Sequence, residues 1–360
     1  MTTILFFFAG LAALGFGAEL LVRGASRLSL SFGISPLVVG LTVVAFGTSA
    51  PEMAVSVGAA FTGKVDVAIG NVVGSNIFNI LVILGASALI VPLAVHVQVI
   101  RQEVPVMIAA TLAFIVFALD GSLAFFEAAL LFAALIGYLA FLVVQSRREG
   151  KAAADEFADE MPPPAKWDSH WAVQVLLVVA GLALLVVGAD WLVDAAVTFA
   201  RSLGVSDLVI GLTIVAAGTS LPEVAASLTA ALRGERDIAV GNVVGSNVFN
   251  LLGCLGLAGI AAPAGLPVAP ELLRVDLWVM LAATLACLPV FLYRHEIRRW
   301  QGGLFCVAYV GYAAFLVLSA QQHALLDAYT LVVLWGALPA LGGLLAWMVF
   351  NRRRPRRPAN

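Results

Sequence analysis

Charge is what this sequence lacks. Only 12% of its 360 residues are Asp, Glu, Lys or Arg, roughly half of what a soluble domain carries, and a chain that is also 62% hydrophobic excludes a water-soluble globule. Cysteine is scarce too. Cys254, Cys287 and Cys306 stand alone in separate apolar stretches with no CxxC spacing, which excludes a disulfide framework or thiolate metal site and leaves packing as their role. His96, His170, His295 and His323 all fall in loops or at span ends. Without an intramembrane histidine, an HExxH pair or GxGD aspartates, neither a metal hydrolase nor an intramembrane protease is expected. The chain reads as no enzyme, with no resident cofactor, no nucleic-acid partner and no obligate protein partner.

What is present is hydrocarbon. Mean hydropathy is +1.02, and apolar runs long enough to cross about 30 Å of bilayer recur at 3–30, 34–62, 67–91, 99–119, 123–145, 171–200, 206–232, 238–262, 275–293, 302–320 and 325–350. The opening MTTILFFFAGLAALGFG has no basic residue ahead of its apolar run, so it is read as the first of eleven spans and not as a signal peptide. With that span starting outside, 17 of the 20 basic residues fall on one side, leaving only Lys64, Arg201 and Arg274 opposite. The positive-inside rule then predicts an outer N-terminus, a cytoplasmic C-terminus and residence in the plasma (inner) membrane.

The chain also repeats itself. Residues 40–89 and 211–260 align without a gap at a constant offset of 171, with 29 identities in 50 positions. Fainter matches continue at the same offset, Glu19 with Asp190 and Tyr138 with Tyr309. Duplication of a unit with an odd number of spans inverts the second copy. Inverted repeats are an architecture of secondary transporters, with ion sites near the midplane. The expected fold is therefore all-α and integral to the membrane: a first repeat over 1–145, a cytoplasmic linker over 146–170, a second repeat over 171–320, and an extra eleventh helix with a basic tail over 321–360. The linker carries Asp155, Glu156, Asp159 and Glu160, which read as a solvated face.

Each repeat places a helix-breaker and an acid at the same depth, in FGTSAPE (46–52) and AGTSLPE (217–223). Pro51 has no N–H, so the carbonyl of Gly47 loses its helical partner. In lipid such a carbonyl is tolerated where it is satisfied otherwise or lines a cavity. Thr48 and Glu52 stand at i,i+4 with Ser49 beside them, and Thr219, Ser220 and Glu223 repeat the pattern. The next span supplies GNVVGSNIFN (70–79) and GNVVGSNVFN (241–250), in which Ser75 with Asn79, and Ser246 with Asn250, share a face. Gly70 and Gly74 have the small-xxx-small spacing that lets helices approach. Asn71 and Asn76 read as packing or hinge hydrogen bonds. Two carboxylates with hydroxyls and amides form a hard, all-oxygen set suited to Na⁺ or Ca²⁺, and an ionisable residue at this depth is a functional hypothesis by default. Glu19 with Arg23 suggests a local i,i+4 pair, and Asp66 and Asp237 suggest helix N-caps.

These paired motifs resemble the two alpha-repeats of the calcium/cation antiporter superfamily, and within it the prokaryotic sodium/calcium exchangers; the resemblance covers residues 1 to about 320. It implies a ten-helix core whose second, third, seventh and eighth helices bind three Na⁺ or one Ca²⁺ in alternation. By motif, the implied ligands are Ala45, Thr48, Ser49, Glu52, Ser75 and Asn79, with Ala216, Thr219, Ser220, Glu223, Ser246 and Asn250 from the second repeat. The chain departs from the pattern at Asn250, where better-known members carry Asp. That leaves two acids in the site and argues against potassium coupling. The expected function is electrogenic exchange of Na⁺ for Ca²⁺ by alternating access. The alternative is a proton-coupled antiporter using the same glutamates. A channel is a further rival, one whose flux would need no counter-ion.

Overall fold

Backbone that lies in hydrocarbon must satisfy its own hydrogen bonds, as helices or as closed barrels. In the computed structural model of this chain it does so as helices; residues 2–149, 170–202, 216–262 and 264–351 are described. The first half comprises α1 (Thr2–Phe32), α2 (Pro36–Thr48), α3 (Ala50–Phe61), α4 (Val65–Ile90), α5 (Val99–Ala118) and α6 (Phe125–Ser146). The second comprises α7 (Trp171–Ser202), the short α8 (Ala216–Gly218), α9 (Leu221–Leu232), α10 (Arg236–Ala261), α11 (Leu272–Leu292) and α12 (Arg299–Ala320), followed by α13 (Leu326–Phe350). Among the described residues nine helices are long and apolar enough to span, and α2 with α3 forms a tenth span bent by 45°. The remaining expected span, the seventh at 206–232, ends in α9, while its residues 206 to 215 lie outside the described residues.

Small residues set the closest approaches. Gly10, Gly17 and Gly24 run down one face of α1 at seven-residue spacing and meet Gly188, Gly181 and Gln174 of the antiparallel α7. A Cβ on Gly181 would come within 2.6 Å of the Leu21 nitrogen, so only glycine lets these backbones touch. Gly241 and Gly245 of α10 lie in the same way against the Leu37 and Leu41 carbonyls of α2.

Four two-residue strands tie the loops of the repeats together. β1 (Leu93–Ala94) pairs antiparallel with β4 (Glu296–Ile297), and β2 (Ser122–Leu123) pairs with β3 (Leu266–Pro267). Each pairing requires an even number of crossings between its loops, which the eleven-span reading supplies. Each repeat also carries an acid–tyrosine bond, buried in the first and part-buried in the second, so that the counterpart of Tyr138 is Tyr312 and not the Tyr309 to which the constant offset pointed. The Tyr138 hydroxyl donates to Glu103 at 2.6 Å, and that of Tyr312 to Asp276 at 2.7 Å. The core centres on α10, 89% of whose most apolar window is buried, against 6% for the peripheral α13. Contacts to α11 and α12 hold α13 in place: Tyr329 donates to the Gly311 carbonyl at 2.6 Å, and Trp347 lies 5.5 Å from the Tyr293 ring.

Candidate cation site

The helix breaks fall where the prolines place them. Ser49 separates α2 from α3 at φ −80°, ψ 3°, and Ser220 stands before α9 at φ −90°, ψ 7°. Pro51 and Pro222 sit in the first turn that follows, where a missing N–H costs nothing. Glu52 and Glu223 occupy the same first turns, with their carboxylates close to free N–H groups and a positive helix end. Both are fully buried.

The two repeats brace each other crosswise. Ser49 donates to Glu223 Oε1 at 3.1 Å, and Ser220 donates to Glu52 Oε1 at 3.0 Å. Ser220 also lies 3.2 Å from the Ser75 hydroxyl. Thr48 and Ser246, 3.5 Å apart, both adjoin the Glu223 carboxylate, while Thr219 adjoins that of Glu52. Thr48 lies 3.4 Å from the Ala45 carbonyl, which also accepts from the Ser49 nitrogen. Asn79 donates to Asn247 at 3.1 Å, and the Asn250 amide oxygen accepts from Cys254 at 3.5 Å. Both asparagines sit at wide π-turns, Asn79–Leu84 and Phe249–Cys254, a local distortion frequent at functional sites. The structure therefore gathers Glu52, Glu223, Thr48, Thr219, Ser49, Ser220, Ser75 and Ser246 around one centre, with Asn79 and Asn250 on the α4 and α10 walls. Ala45 contributes backbone one turn away. Ala216 opens α8 at the edge of the described segment.

Each carboxylate has one oxygen satisfied and one not. Glu52 Oε2, Glu223 Oε2 and Asn79 Oδ1 are buried without a hydrogen-bond partner, although a buried polar atom normally has one. Acceptor oxygens converging from both repeats are what a hard cation needs. Among the described residues no cluster of three His, Cys, Asp or Glu side chains occurs, so the donors are two acids with neutral oxygens.

Some partners were not visible in the motifs. Asn71 donates to the Glu52 carbonyl at 3.2 Å and to Ser56 at 3.0 Å, and accepts from Thr219 at 3.4 Å. Asn242 mirrors it, donating to Ser227 at 2.9 Å and accepting from Thr48 at 3.1 Å. The expected hydrogen bonding of Asn71 is thus met, and through it and Asn242 each repeat holds a threonine of the other. Two local expectations are corrected. Glu19 pairs with Arg233, 214 residues away. Asp66 and Asp237 lie inside the first helical turn, with Lys64 and Glu235 at the N-cap positions and no side-chain cap.

A twofold-repeated helical membrane fold closed around buried acids and hydroxyls defines a secondary cation antiporter. The sodium/calcium exchanger protein family model matches residues 2–144 and 173–318, and the chain belongs to that family. CaxA of Alkalimonas amylolytica is 43% identical over 327 residues, covering 89% of this chain and 100% of that one. The sodium/calcium exchanger MaX1 of Methanosarcina acetivorans is 34% identical over 339 residues, covering 86% and 95%. The solved sodium-calcium exchanger NCX_Mj superposes with a TM-score of 0.75 at 32% identity, covering 88% of this chain and 99% of that one.

Proposed function

We propose that this protein exchanges Na⁺ for Ca²⁺ across the membrane, three for one, by alternating access around Glu52 and Glu223. The reading rests above all on the unpartnered second oxygens of these two carboxylates, framed by Ser49, Ser220, Thr48, Thr219, Ser75 and Ser246. The relatives named as sodium/calcium exchangers support it. Two ionised acids carry −2, which one Ca²⁺ neutralises and three Na⁺ convert to +1. The empty site would bury uncompensated charge, at a cost of several kcal/mol. Loaded states therefore cross more readily than the empty one, which makes the flux an exchange and not a leak.

The same proposal divides the chain into inverted repeats over 1–145 and 171–320, joined by the linker 146–170, with 321–360 added after them. It places the N-terminus outside and the C-terminus in the cytoplasm, as the asymmetry of Lys and Arg requires. The deciding experiment is ⁴⁵Ca²⁺ uptake into proteoliposomes loaded with Na⁺ or with choline. Uptake should need internal Na⁺. Uptake driven by a proton gradient and indifferent to Na⁺ would establish the proton-coupled alternative instead.

A further inference from the structure

The two faces of the molecule are closed differently. On the face that carries Arg233, α1 and α7 both pack along α9. The mirror contacts, of α7 and α1 with α3, form no comparable interface. Equivalent residues record the difference: Ala226 of α9 is 1% exposed, whereas Val55, its counterpart in α3, is 38% exposed. Inverted repeats alternate by exchanging arrangements around a fixed site. A contact made on one face only must break when that face opens.

One charged contact has this property. The Arg233 guanidinium, just past the end of α9, grips Glu19 of α1 with both Nε and Nη2, the Nε bond being 2.7 Å. At the 171-residue offset Glu19 becomes Asp190 and Arg233 becomes Thr62. The Thr62 hydroxyl is turned back onto the Gly58 and Ala59 carbonyls of its own helix. Among the described residues Asp190 makes no ion pair or hydrogen bond. The charged groups around the latch are Arg23 and Arg27 on α1 and Glu235, Arg236 and Asp237 beyond α9. Burial raises the pKa of Glu235, while the charges of Arg233 and Arg27 lower it. Arg233 thus lies within reach of two acids and makes its hydrogen bonds to the one on α1.

We propose that Glu19 and Arg233 form a one-sided latch that holds the Arg233 face closed and biases the resting equilibrium toward opening on the Asp190 face. The proposal builds on the exchanger reading. Glu19 and Arg233 are positioning residues, remote from the ions. Their side chains are 39% and 40% exposed, and an ion pair exposed to that degree shifts an equilibrium by at most roughly fivefold. The latch is therefore weak enough to open in every cycle.

Two readouts test it, one of which needs no transport. Ala226→Cys reports closure, because Ala226 is 1% exposed on the closed face while its counterpart Val55 on the other face is 38% exposed. In a Cys306→Ala background Cys254 and Cys287 stay buried, and N-ethylmaleimide should modify position 226 about threefold faster in Glu19→Gln and in Arg233→Gln. The exchanged pair Glu19→Arg with Arg233→Glu should bring the rate back. Thr62→Arg, which sets a guanidinium opposite Asp190, should also speed the reaction by stabilising closure of the other face. In proteoliposomes the single variants should improve apparent Ca²⁺ affinity at the Arg233 face by the same factor, since apparent affinity scales with the competent fraction. Unchanged modification in both single variants would overturn the latch, as would a charge exchange that modifies as fast as they do. If the wild type carries no Na⁺-dependent Ca²⁺ flux, the exchanger reading fails, and the modification rates still decide the latch.

Discussion

Ser220 of the second repeat donates a hydrogen bond of 3.0 Å to Glu52 of the first. The bond crosses the interface between the repeats, and its mirror image from Ser49 to Glu223 crosses back. Each acid is thereby held by the repeat to which it does not belong, so relative motion of the halves is felt directly at the carboxylates. Removing either charge leaves −1 to balance Ca²⁺. Breaking a buried charge pairing costs roughly 3–5 kcal/mol, so Glu52→Gln and Glu223→Gln should each lower ⁴⁵Ca²⁺ uptake by at least about a hundredfold. Size-exclusion profiles should stay unchanged. Near-normal uptake by either variant would remove that glutamate from the site.

The serines should matter less, and equally. Ser49→Ala or Ser220→Ala removes one hydrogen bond to a charged acceptor, worth about 1.5–3 kcal/mol. Apparent Ca²⁺ affinity should weaken by tenfold or more in each, with maximal rate less affected. Thermal shift titrated with Ca²⁺ would read this; two serines with widely different effects would contradict the twofold symmetry of the bracing.

Much of this site was legible before any coordinates. The 171-residue offset exposed the duplication, and Thr48, Ser49, Glu52, Ser75 and Asn79 share faces simply because helices repeat every 3.6 residues. Pairings between the repeats were not legible. Nothing local tells Ser49 to seek Glu223, 174 positions away, and the i,i+4 rule pointed Glu19 toward Arg23 when its ion pair lies on another helix. Asn71 and Asn242 stood inside the repeated motif, but periodicity does not reveal that they orient threonines across the interface. Of the two π-turns, Asn79–Leu84 contains neither proline nor glycine and Phe249–Cys254 contains Gly253, so no common breaker residue marks them in the sequence.

The α1–α7 seam gives a stability prediction. A methyl group at Gly181 would meet the Leu21 nitrogen at 2.6 Å and the Gly17 carbonyl at 2.7 Å, both of them backbone atoms that cannot swing away. Overpacking of this kind costs about 1–3 kcal/mol. Gly181→Ala should lower Tm by several degrees, whereas Gly58→Ala, with nothing within 4 Å of the added carbon, should not. Equal Tm values for the two would mean that the helices are not in contact there.

Topology is open to direct test. The pairing of β2 with β3 places Ser122 and Leu266 on one face, and that of β1 with β4 places Leu93 and Ile297 together. With Lys and Arg concentrated on the second of these faces, a reporter inserted near Asp120 should read external and one fused after Arg357 should read cytoplasmic. Reporters that agreed in side would break the inverted-repeat arrangement.

The last prediction follows from Asn79 and Asn250, two neutral amides that leave Glu52 and Glu223 as the only fixed charges among the residues gathered at the site. Exchange of three Na⁺ for one Ca²⁺ then moves one net positive charge per turnover in the direction of Na⁺. A membrane potential acts on that charge with about 2.3 kcal/mol per 100 mV, equivalent to roughly a fiftyfold change in the Ca²⁺ gradient sustained at equilibrium. An inside-negative potential pulls the extra charge inward, so it should speed Na⁺ entry coupled to Ca²⁺ exit and slow the reverse. Proteoliposomes clamped with valinomycin and a potassium gradient provide the test. With Na⁺ inside and Ca²⁺ outside, Ca²⁺ uptake should rise when the interior is made positive and fall when it is made negative. Uptake indifferent to the imposed potential would mean two Na⁺ per Ca²⁺, and so no third Na⁺ position beside the two carboxylates.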